Sequence, residues 1–151
     1  KVLSHQPCPG DAYCVEHPHV HPDYESAFEG DSAPRYSYMS ISNSVGLATA
    51  PQGWVRTDLV TGETKARWIG TRHFTEEVVV VPKGEGDQRG GGEHPSSECW
   101  VLGMVYDARA KRSGLCVLDG ETMEVAATLW MKHVSPHGLH GSWRPAAAAA
   151  A

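Results

Sequence analysis

Two histidines set among glycines, in Pro136-His137-Gly138-Leu139-His140-Gly141-Ser142-Trp143, are the residues of this chain whose type and spacing best suit metal chemistry. Imidazole ligates transition metals, and a glycine beside it lets the backbone turn sharply close to the ion. Spacing alone is a weak signal, because His-x-x-His without a helix or a partner carboxylate is also an ordinary turn. A second group, His17-Pro18-His19-Val20-His21-Pro22, would line one face of a strand, but its prolines favour a surface loop. Glu76-Glu77 is a candidate acid/base pair; adjacent strand residues face opposite ways, so one of the two is expected to be solvated.

The elements that must position these residues are strands. No segment carries a 3.6-residue apolar period, whereas period-two alternation and turn residues recur along the chain. Alternation predicts strands over 35–41 and 54–59, then a turn at Val60-Thr61-Gly62 into a strand over 63–69. A second group follows at 77–81, 100–106, 113–118 and 123–130, with turns at the charged tip 107–112 and at Asp119-Gly120. Four hairpin-linked strands in about fifty residues have the size of one propeller blade. Two such groups cannot close a propeller, which needs roughly four or more blades, so partner blades are implied from elsewhere. Trp54, Trp68, Trp100 and Trp130 fall in strands and read as core and interblade packing rather than a ligand box. The Gly-rich polar stretch 83–95 reads as a mobile loop.

Composition narrows the function. Thirteen basic against eighteen acidic residues give a net charge of -5, with no basic run of the kind a nucleic-acid surface carries. The longest apolar run, Val78 to Val81, is far short of the ~20 residues of a membrane helix. Gly90-Gly91-Gly92 lacks the lysine and following helix of a phosphate cradle. Cys8, Cys14, Cys99 and Cys116 show no Cys-x-x-Cys spacing; Cys8 and Cys14 can pair in an oxidising compartment, while Cys99 and Cys116 sit in apolar strand patterns. Plastid and cytoplasm, in solution or at a membrane periphery, both remain open. The chain is lean in core residues for its 151-residue length and starts at Lys1, which reads as a part of something larger. Residues 1–145 are expected to form one segment; the alanines 146–151 read as unassigned sequence.

Val134 to Trp143 resembles the C-terminal signature of the carotenoid cleavage oxygenases, seven-bladed β-propellers in which a proline, a glycine and an aromatic precede a His-Gly pair. Glu77-Val78-Val79-Val80-Val81-Pro82 is similar to that family's Glu-Pro-Val-Phe-Val-Pro strand. Val15-Glu16-His17-Pro18 and Arg35-Tyr36-Ser37-Tyr38 are similar to its Glu-Phe-Pro segment and its Arg-Tyr-x-Tyr strand. The resemblance covers roughly residues 10 to 144 and implies an all-β fold: the last blades of a seven-bladed propeller, about two blades plus a closing strand. It implies that His140 is an Fe(2+) ligand, that His137 lies outside the iron's ligands, and that Glu77 and Glu16 each hydrogen-bond an iron-bound histidine. Such glutamates fix the imidazole tautomer, and losing one typically costs 10–100-fold in metal affinity or activity.

The reaction this implies is dioxygen-dependent oxidative cleavage of a carotenoid or apocarotenoid double bond. Four neutral histidines leave the iron its charge and open positions for dioxygen. Three of the four belong to blades upstream, so this chain alone is expected to be inactive and to need the remaining blades or partner chains. His17 replaces the family's Phe, Leu139 its aromatic, and Val78 its proline. By family matching His5, His17, His19, His21, His73, His94 and His133 fall at no ligand position. The alternatives are a truncated, non-catalytic relative kept as a structural subunit, for instance in a plastid pigment–protein assembly, and a generic propeller fragment acting as a binding module.

Overall fold

The computed structural model describes residues 14–25, 33–43, 49–84 and 94–144. His5, Cys8, most of the Gly-rich loop and the alanine tail lie outside the described residues. The strands are β1 (Cys14–His19), β2 (Tyr36–Ser42), β3 (Gly53–Asp58), β4 (Thr64–Trp68), β5 (His73–Pro82), β6 (Cys99–Asp107), β7 (Arg112–Asp119) and β8 (Val125–Trp130). They form two four-stranded antiparallel sheets, β1-β2-β3-β4 and β5-β6-β7-β8, each strand paired with its neighbours in the chain. The all-β meander expected from alternation is therefore present twice. β1 corrects the expectation of a surface loop over 17–21: an edge strand paired with β2 runs as far as His19. Pro18 is tolerated because it falls within a bulge between Glu16 and His19, where the ladder is interrupted and no N–H is required.

The sheets bury their facing sides in one cluster, with Tyr36, Tyr38 and Trp54 from the first and Val78, Val101, Val105, Cys116 and Leu118 from the second. Trp54 is fully buried and packs so closely on β6 that a Cβ at Gly103 would lie 2.3 Å from its ring. Its indole N–H donates to the Glu76 carbonyl at 2.8 Å. Trp68 and Trp130, on the outermost strands, remain 38% and 39% exposed, and Trp130 packs against Gly114 and lies under Arg112 at 3.7 Å. Arg56 ties the sheets: it stacks 4.1 Å over Tyr36, donates to the Glu121 carbonyl at 2.7 Å and pairs with its carboxylate at 2.9 Å. Burial pushes the Cys99 thiol up to about 12, which keeps it a protonated core group.

Three hairpins end on one device. Asp58, Asp107 and Asp119 close β3, β6 and β7, and each Oδ1 accepts the backbone N–H groups two and three residues on, at 2.8–3.1 Å. All three carboxyls titrate below the usual range. At Asp58 and Asp119 burial is the largest influence and opposes ionisation, but the turn N–H groups, with Arg35 at one and Lys83 at the other, outweigh it. At Asp107 the Ala110 N–H is the largest influence. A carboxyl depressed in the folded state contributes stability above its unfolded pKa of about 4, and loses it as pH falls through the folded value. The melting temperature is therefore expected to fall steadily below about pH 4. Asp119→Asn, which removes the charge facing Lys83, should flatten that fall; an unchanged acid profile would refute the assignment.

Candidate metal centre

β5 places two adjacent carboxylates on one face. Thr75 pairs with Val105 and Val78 with Gly103, so Glu76 and Glu77 together oppose Met104 in a bulge. Thr75 and Val78 both turn into the core, and both glutamates meet the segment that follows β8. The expectation that one of the pair is solvated is thus corrected, because the extra residue breaks strict alternation. Gly138 N–H donates to Glu76 Oε1 at 2.7 Å, and Gly141 N–H donates to Glu77 Oε1.

His140 Nδ1 lies 3.0 Å from Glu77 Oε2. A carboxylate only accepts, so the ring proton sits on Nδ1 and Nε2 keeps its lone pair for a metal. Glu77 is 8% exposed and His140 68%, so a buried anchor holds an imidazole that is open on its outer side. Burial is the largest influence on Glu77 and opposes its ionisation. The hydrogen bonds from His140 and Gly141 and the neighbouring His19 outweigh it and hold the carboxyl below its ordinary range. His19 Nε2 stands 3.8 Å from Glu77 Oε2. The backbone bends at Leu139, between the two glycines, without either adopting the left-handed conformation that Gly62 and Gly70 have. Gly138 instead allows close approach, since a Cβ there would stand 3.0 Å from Glu76 Oε2.

The remaining site residues lie as follows. His137 is 46% exposed, 3.5 Å from Glu76 Oε1, and makes no contact with Glu77 among the described interactions. Glu16 has an exposed side chain on β1, and its carbonyl accepts from Ser40 Oγ at 3.1 Å. His17 comes beside the centre, where sequence reasoning left it out: its ring centroid is 5.5 Å from that of His140, edge to face. Each of His17, Glu77 and His140 offers a ligand atom within 4.8 Å of the other two. A proline-flanked histidine in an edge strand is the signal that could have found it, because proline there marks a bulge and bulges re-aim side chains. Beside the centre a cavity of about 440 Å³ is lined by Val79, Leu102, Met104 and Leu115 together with Glu77 and His140. One wall can thus receive an apolar ligand while a polar corner holds a metal.

Residues 3–145 match the family model described as retinal pigment epithelial membrane protein. The chain is 34% identical over 133 residues to the apocarotenoid-15,15'-oxygenase of Synechocystis, covering 86% of this chain and 24% of that protein. It is 32% identical over 87 residues to resveratrol cleavage oxygenase 1 of Aspergillus fumigatus, covering 57% of this chain and 16% of that one. Among solved structures it is similar to a mutant of the Synechocystis apocarotenoid oxygenase, with TM-score 0.72 and 30% identity over 89% of this chain and 26% of the other. It is also similar to the cobalt-substituted form of that enzyme, with TM-score 0.71 and 30% identity over the same shares. The chain spans about a quarter of the length of the Synechocystis enzyme and 16% of the Aspergillus one.

Proposed function

The chain belongs to the carotenoid cleavage oxygenase family, and from that premise we propose that it is the C-terminal part of an iron(II)- and dioxygen-dependent enzyme cleaving a carotenoid or apocarotenoid double bond. Its two sheets are blades of the family's propeller, and residues 1–145 form one segment that completes its closure with blades from elsewhere. One observation carries the reading: His140, beside an apolar cavity, has its Nδ1 held by the buried Glu77 and no hydrogen bond at Nε2 among the described residues.

In this reading His140 supplies one of four imidazole ligands, and Glu77 fixes its tautomer. Glu16 does the same for a histidine of an upstream blade. Iron(II) among neutral imidazoles supplies the site that binds and activates dioxygen. The chain's own residues do the positioning: Gly141 N–H and His140 Nδ1 each engage one oxygen of the Glu77 carboxylate, while Val79, Leu102 and Met104 present an apolar wall to a polyene. The balance is one C=C bond and one O2 consumed and two carbonyl groups formed. The matched relatives are cleavage oxygenases, and nothing observed favours the structural-subunit alternative.

The test is metal analysis of the complete protein with its upstream blades, followed by a cleavage assay with apocarotenoid substrates. About one iron per chain and two carbonyl products are expected. A protein that takes up no iron when supplied with Fe(2+), or that leaves every polyene intact, would overturn the reading.

A further inference from the structure

His17 stands where the resemblance expects a phenylalanine, and the ligand set proposed above does not use it. We infer that His17 supplies a further imidazole to the metal held by His140, so that this chain contributes two nitrogen ligands; this rests on His140 being a ligand.

The hydrogen bonds settle which nitrogen is available. Ser40 Oγ donates its one proton to the Glu16 carbonyl at 3.1 Å, so toward His17 it can only accept. His17 Nδ1, at 3.2 Å from that oxygen, is therefore the protonated nitrogen, and Nε2 carries the lone pair. His140 is prepared in the same way by Glu77. The two rings meet edge to face, each with Nδ1 engaged, and in this tautomer each offers an Nε2 lone pair to a divalent transition metal.

The backbone gives a separate reason. His17 has φ of 56°, a left-handed conformation costly for a residue with a side chain, and it sits in the β1 bulge. Regular pairing would carry the ring along the ladder with its neighbours; the bulge turns it to His140 instead. Strain of this kind persists where surrounding structure enforces it and clusters at functional sites. In this arrangement Glu77 acts as the orienting partner of His140: one oxygen lies 3.0 Å from His140 Nδ1 and the other accepts from Gly141 N–H.

The test uses Co(2+) as the probe metal in the complete protein, in its native form and as His17→Phe, Ser40→Ala and His140→Ala. His17→Phe restores the residue the resemblance expects and is expected to fold. Its Co(2+) affinity should fall about tenfold or more. The cobalt d–d band should also move to longer wavelength as an imidazole leaves. Ser40→Ala keeps the ring but frees its Nδ1, and should weaken binding about 10-fold with the band little changed. Affinity and band unchanged in both variants, with binding lost in His140→Ala, would overturn the role of His17 and leave that of His140 standing. Binding unchanged in His140→Ala would overturn the underlying reading itself.

Discussion

Glu77→Gln is expected to weaken metal binding by about 10–100-fold while the fold stays intact. The carboxylate spends its two oxygens on two donors, His140 Nδ1 and Gly141 N–H. An amide has one acceptor oxygen, so its NH2 group must face one of those N–H groups, donor against donor. If it faces His140, the ring turns or changes tautomer and Nε2 no longer reaches the metal with its lone pair. If it faces Gly141, the segment after β8 that carries His140 is released. Glu76→Gln is the control: Glu76 receives Gly138 N–H and lies near His137, which is outside the proposed ligands, so metal affinity should hardly change. Metal titration with circular dichroism as the fold check separates the cases, and equal affinities for native protein and Glu77→Gln would remove Glu77 from the centre.

The second large effect lies under the site. Trp54→Ala should cost about 3–5 kcal/mol of stability, as large-to-small changes at buried aromatics do. The indole is fully buried, covers Gly103 and hydrogen-bonds the Glu76 carbonyl within the β5 bulge. Removing it opens a cavity between the sheets and leaves a partly buried acceptor unpaired beside the two carboxylates. Gly103→Ala should destabilise by about 1–3 kcal/mol from the other side, since its methyl would enter the indole ring. In the Trp54→Ala background the same methyl has room, so the two losses should be far from additive. Urea unfolding of the four proteins measures this; strict additivity would mean that the ring and Gly103 do not touch in solution.

Much of this was legible from alternation and turn chemistry. Seven of the eight strands overlap segments expected as strands from alternation or apolar runs, and the aspartates at hairpin ends announced the tight turns. The family signature pointed to a propeller segment, which the solved relatives bear out. What stayed hidden has one physical cause, the bulge. Strict alternation sends Glu76 and Glu77 to opposite faces, and an extra unpaired residue returns them to the same one. Two prolines argue for a loop at 17–21, and a bulge on an edge strand accommodates Pro18 without a lost hydrogen bond. A bulge leaves little trace in a single sequence, because it changes the count of residues between pairs rather than their types.

The β5 bulge has a consequence for how this segment tolerates change. It splits the strand into two reading frames, His73 to Thr75 and Val78 to Pro82, which meet out of phase at the glutamates. A one-residue deletion at that junction would bring the frames into register and keep nearly every ladder bond. It would leave a single carboxylate where two are needed, so Gly138 or Gly141 would lose its acceptor. Insertions and deletions elsewhere in the hairpins shift a loop, whereas here the junction works as a clutch: it lets the N-terminal frame slip without dragging the C-terminal one. The chemistry at His140 is geared to the frame that begins at Val78, and drift in the residues before Thr75 need not reach it.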